Sequence, residues 1–156
     1  MVRFQYALIH KGKSSNVGGE MTAMLQALKH RGPDSTGYAV YGEPSDGDYI
    51  MRVKVAEAED MNRGRGIHQV LAERIAEVES ILDEHGANVK SKAAATEYSL
   101  RYVLSHDGDT SKLAEHIEET EGGEILSMGN GLELSKDLGD AADVAGLYGL
   151  NDFAGT

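Results

Sequence analysis

The 156-residue sequence predicts an α+β fold. Two observations carry this. Stretches of alternating apolar residues, such as Tyr98, Leu100, Tyr102 and Leu104, have the period of strands, while Ile67, Val70, Leu71, Ile75, Val78, Ile81 and Leu82 recur at helical spacing. The two kinds of segment also do not alternate as regular βαβ units: short strands cluster around turn-rich loops, and helices fall between the clusters.

Taken in order, Arg3 to Lys11 reads as a first strand, apolar on both faces, and "GKSSNVGG" reads as a loop. Met21, Met24, Leu25 and Leu28 then predict a helix ending near His30. Thr36–Val40 and Tyr49–Val55 read as two strands paired through the turn residues of "GEPSDGD". The helix over Ile67–Leu82 should stop at "HGAN", with Gly86 as its cap. From about Tyr98 the order strand, helix, hairpin, helix reads as a small ferredoxin-like unit missing one strand. Its helix is capped by Asp109 or Thr110, its hairpin turns at "GNG", and the last helix starts at Asp140.

Composition excludes several functions. With no cysteine there is no disulfide, thiolate metal site or cysteine nucleophile in this sequence. A net charge of -11 and scattered Arg and Lys argue against nucleic acid as a partner. No apolar run suits a membrane span or a signal peptide, so a cytoplasmic, membrane-free protein is expected. The six histidines show no i, i+4 pair, so neither metal nor cofactor is expected. His106-Asp107-Gly108-Asp109 reads as loop and helix cap, and "EHIEETEGGE" as a solvated helix face.

One stretch, "HRGPDS" from His30 to Ser35, is explained by local physics as a helix stop. Lys29, His30 and Arg31 suit the negative end of the helix dipole, Gly32 suits a left-handed cap, and Pro33 blocks continuation. Its place matters more. It follows an N-terminal strand and the helix "MTAMLQALK", and precedes Gly37 and "YAVYG". In this it resembles the class II, N-terminal-nucleophile glutamine amidotransferases over roughly Met1 to Val55. The segment from 67 to 150, with "EILSMGNGLELSKDLG" and "VAGLYGLNDFAGT", resembles the insertion in the amidotransferase subunits of archaeal-type glutamate synthases.

The resemblance implies a four-layer α-β-β-α frame, an amidotransferase-like part over 1–60, and an inserted α+β unit with the start of the return over 61–156. It implies glutamine as substrate and ammonia delivered to a synthase. The family's nucleophile is the cysteine exposed on removal of the initiator Met, with its own α-amine as base. Such an amine has a pKa of about 7.7–8.0, suited to proton transfer near neutrality. Here Val2 stands at that position. Arg31, Gly32, Asp34 and Ser35 would shape the site wall beside it. The family's later "HTR" segment, Asn-Gly and acidic substrate-binding residue find no match before "NDFAGT". The sequence is therefore expected to be the N-terminal part of a domain, inactive alone and completed by a protein partner or an oligomer. A non-catalytic binding or assembly subunit on the same frame is the rival expectation, and an amidotransferase serving asparagine or phosphoribosylamine synthesis is a third.

Overall fold

A computed structural model describes residues 14–28, 35–44, 47–62, 64 and 66–155. The predicted strand over Arg3–Lys11 lies outside these residues, as do His30, Arg31, Gly32, Pro33 and Asp34. The class is α+β: among the described residues there are four α-helices and two sheets. The helices are α1 (Val17–Gln26), α2 (Ile67–Glu84), α3 (Thr110–Glu118) and α4 (Ala141–Leu147). The strands are β1 (Ser35–Tyr41), β2 (Tyr49–Lys54), β3 (Asn88–Thr96), β4 (Ser99–Ser105), β5 (Glu124–Gly129) and β6 (Leu132–Leu138).

The chain divides into two compact units, one of residues 1–37 with 137–156, the other of residues 38–136. The second is built on β2, α2, β3, β4, α3 and β5, with sheet order β3-β4-β2-β5 and every neighbouring pair antiparallel. That is the complete βαββαβ connectivity of a ferredoxin-like unit. The unit therefore begins at Tyr49 rather than near Tyr98, where the sequence suggests it, and lacks no strand. The expected hairpins do not form as pairs. β2 leaves β1 and lies between β4 and β5, whereas β1 pairs with β6, which leaves β5. Turn-forming residues mark where the chain reverses, but partner choice goes to whichever strand buries the apolar face.

That face explains the arrangement. Met51 and Val53 of β2 and Leu100, Tyr102 and Leu104 of β4 are all nearly inaccessible. They meet Leu71, Val78, Ile81 and Leu82 of α2 and Leu113 and Ile117 of α3 in one core. Each such side chain contributes about 1.5–3 kcal/mol on burial. Val70, which the periodicity places on the buried stripe, is instead exposed. α2 ends as expected: Gly86 takes φ +69°, and the N–H groups of Gly86 and Ala87 donate to the carbonyls of Asp83 and Leu82.

In the other unit α1 packs against α4. α1 starts inside the expected loop, capped by Asn16, whose Oδ1 accepts from Gly19 N at 2.8 Å. It ends at Gln26, before the expected His30. Its buried residues are Gly18 and Thr22 rather than the methionine stripe, and Met24 is exposed. Gly18 is there because a Cβ would lie 1.8 Å from the carbonyl oxygen of Leu150, so only glycine allows this backbone approach. Asp109 and Asp140 cap α3 and α4 as expected.

Candidate functional site

Of the residues singled out beside the N-terminus, Ser35 lies within the described structure, and Val2, Arg31, Gly32 and Asp34 lie outside it. Ser35 opens β1 and is half-buried. The residues flanking the motif are held by two side-chain bonds, both inside the first compact unit. Thr36, next along β1, donates its hydroxyl to the carbonyl of Gly139 at 2.9 Å. Gln26, at the end of α1, donates Nε2 to Asp140 Oδ1 at 2.7 Å. The same Asp140 oxygen accepts from the N–H groups of Ala142 and Asp143 at the start of α4. The end of α1 and the start of β1, which bracket "HRGPDS", are thus both fixed to the turn that enters α4. Gly139 makes that turn at φ +116°.

Asp137 sits just before this turn and is 2% exposed. It accepts from the Tyr148 hydroxyl at 3.3 Å and from the N–H of Leu138 at 2.9 Å. The sequence marks Asp140 as a cap but gives no sign of its bond to Gln26 or of the burial of Asp137. No local pattern encodes a contact over 114 positions.

The second polar cluster lies in the ferredoxin-like unit, on the sheet face opposite the α2–α3 core. Arg52 and Arg101 are register partners across β2 and β4. Like charges directly opposite are unfavourable on a sheet, and Glu133 resolves the conflict. Its Oε2 accepts from Arg52 Nε at 2.9 Å and Arg101 Nε at 2.8 Å, and its Oε1 accepts from Arg101 Nη2 at 2.9 Å. The Arg101 hydrogen bonds, with the positive charge of both arginines, hold the Glu133 carboxyl below the ordinary glutamate range against the opposing effect of burial. Arg101 is raised in turn by the Glu133 hydrogen bond. The available signal is that both arginines occupy the polar phase of strands whose other phase is apolar. On the core side, burial first and the nearby Glu79 carboxylate second push the Tyr102 phenol well up, so it remains a hydrogen-bond donor, to Glu79 Oε1 at 3.2 Å.

Two histidines that sequence spacing keeps apart are brought together. His85, the C-cap of α2, and His116, in the last turn of α3, place Nε2 and Nδ1 3.0 Å apart. His106 is 8% exposed, and neither ring nitrogen has a partner. Among the described residues no group of three or more His, Asp or Glu side chains is assembled to hold a metal. No described helix is long and apolar enough to cross a membrane.

No family model matches the chain. It is similar to a putative glutamine amidotransferase of Methanothermobacter thermautotrophicus, with 30% identity over 140 residues. The matched region covers 88% of this chain and 43% of that protein, so the chain spans less than half the length of its relative.

Proposed function

We propose that this chain is the leading part of a glutamine amidotransferase domain of the N-terminal-nucleophile type, with the ferredoxin-like unit carried between β1 and β6. The observation that carries the reading is the 30% identity to a putative glutamine amidotransferase across 88% of the chain. "HRGPDS" supports it independently of overall identity. The pairing of β1 with β6 on either side of the ferredoxin-like unit is what an insertion between two frame strands requires.

In this reading Arg31, Gly32, Asp34 and Ser35 form the wall beside the N-terminal residue. The bonds from Gln26 to Asp140 and from Thr36 to Gly139 keep the two ends of that wall in place. Glutamine is the substrate class, and a synthase of the glutamate synthase kind receives the ammonia. Val2 offers no atom to attack the amide and the sequence contains no cysteine, so the chain as it stands does not form the thioester. The same residue favours the second reading, a binding or assembly subunit on an amidotransferase frame.

Ammonia release from glutamine separates the readings, measured for the chain and for Val2→Cys with Met1 removed. The unsubstituted chain releases none. The Val2→Cys variant forms a covalent adduct at its new N-terminal thiol with a glutamine-like electrophile, detected by mass spectrometry, because the wall and the α-amine are those of a glutaminase. Ammonia release by the unsubstituted chain overturns the claim of inactivity, and failure of the introduced thiol to react leaves the assembly reading standing.

A further inference from the structure

The ferredoxin-like unit contains a second group of chemistry-bearing side chains, distant in sequence from "HRGPDS" and unused in the function proposed above. A cavity of about 340 Å³ opens between α2 and the end of α3. Glu77, Glu84 and Glu119 line it together with His116, and no Lys or Arg does. His116 contacts His85 through ring nitrogens 3.0 Å apart, with ring centroids at 5.3 Å. Thr120, 4% exposed, also lines the cavity, and its buried hydroxyl has no partner. A buried hydroxyl normally finds a partner, so a missing one marks a place where water or a ligand shell belongs.

We propose that His85 and His116 form a binding site for a divalent transition-metal ion of the zinc, nickel or copper class. The geometry fits. Two nitrogens bound at 2.0–2.1 Å to a tetrahedral ion lie about 3.3 Å apart, so the pair needs to open by only a few tenths of an ångström. In the free chain one of the two facing nitrogens carries the hydrogen they share. Metal binding moves that hydrogen to the far nitrogen of the same ring, a change of tautomer that leaves both His85 Nε2 and His116 Nδ1 free to ligate. The setting favours a cation. The C-terminal ends of α2 and α3 converge there, each with a negative dipole end, and the cavity adds three carboxylates.

Imidazole selects borderline metals over magnesium or calcium, which take oxygen ligands. Since no third His, Asp or Glu among the described residues completes a ligand set, water fills the remaining positions. The carboxylates and the Thr120 hydroxyl line the cavity with His116 and are the groups on hand for the supporting role that outer groups play around metals.

Calorimetric titration of the untagged full chain with zinc or nickel tests this. One equivalent is expected to bind, magnesium is not expected to compete, and affinity should fall as acid protonates the rings. His85→Ala and His116→Ala should each lose at least about ten-fold in affinity, the least that removing a supporting group causes. His68→Ala, at an exposed position paired with Glu97, should change nothing. A probe free of substitution is cobalt added to the unaltered chain, which should broaden two imidazole resonances, those of His85 and His116. The proposal is overturned by absence of binding, by undiminished affinity in the double His85→Ala/His116→Ala variant, by competition from magnesium, or by broadening of other histidines instead.

Discussion

Glu133, on β6, joins the two arginines that face each other on β2 and β4 of the ferredoxin-like unit, because register leaves them opposite one another. Pairing β2 with β4 in the register that buries Met51 and Tyr102 places Arg52 opposite Arg101 on the other face. Removing the glutamate leaves two facing cations, so Glu133→Gln should cost about 1.5–3 kcal/mol near neutrality, the range for hydrogen bonds to charged groups. The sign of the pH dependence follows from the lowered Glu133 carboxyl. Its contribution is fully present above the ordinary glutamate value of about 4.3 and is lost as pH falls through the lower folded-state value. Urea unfolding from pH 7 down to pH 2 should therefore show the gap between the native chain and Glu133→Gln closing with acidification. A gap independent of pH would show that Glu133 acts through packing rather than charge.

At the scale of elements, legibility in the sequence follows a physical rule: patterns with one buried face are readable and patterns without one are not. Tyr98, Leu100, Tyr102 and Leu104 alternate because they line the core, and α2 reads as a helix for the same reason. β3 is exposed from Asn88 to Ala94, so "NVKSKAAAT" shows no alternation and has few β-favouring residues. It is a strand because β4 offers it an edge. The His85–His116 contact is invisible in the sequence because it depends on two helix ends meeting 31 positions apart. Caps are legible because their chemistry is local, and they allow a graded comparison. Asp109 is an exposed cap with one backbone donor, Ser111 N, at 3.0 Å. Asp140 accepts two backbone N–H groups and also Gln26. Loss of a cap costs about 0.5–2 kcal/mol. Asp140→Ala should fall at the upper end or beyond and Asp109→Ala at the lower end, both measured by denaturant unfolding. Asp140→Asn should recover most of the loss, since an amide oxygen still caps.

For the whole molecule, the consequence of the exchanged strand partners is that the ferredoxin-like unit is self-contained. Its core draws on β2, α2, β4 and α3 and on the adjoining Val55, Ala56 and Tyr98, all between Met51 and Ile117. Its chain ends meet as well, since the N–H of Gly42 donates to the carbonyl of Gly131 at 2.8 Å. A polypeptide from Gly42 to Gly131, about 90 residues, is long enough to bury its own core and should fold with a single cooperative transition. It lacks Glu133, however, and so faces Arg52 and Arg101 without their shared carboxylate. That reverses the sign of one substitution. In the full chain Arg101→Gln removes the two-point partner of Glu133 and destabilises. In the excised unit the same change relieves a like-charge pair and should stabilise. Thermal unfolding of the four proteins at low salt tests both points. An excised unit that fails to fold in either version would show that the core needs the rest of the chain, and the same sign of effect in both contexts would show that Glu133 is not what makes the facing arginines tolerable.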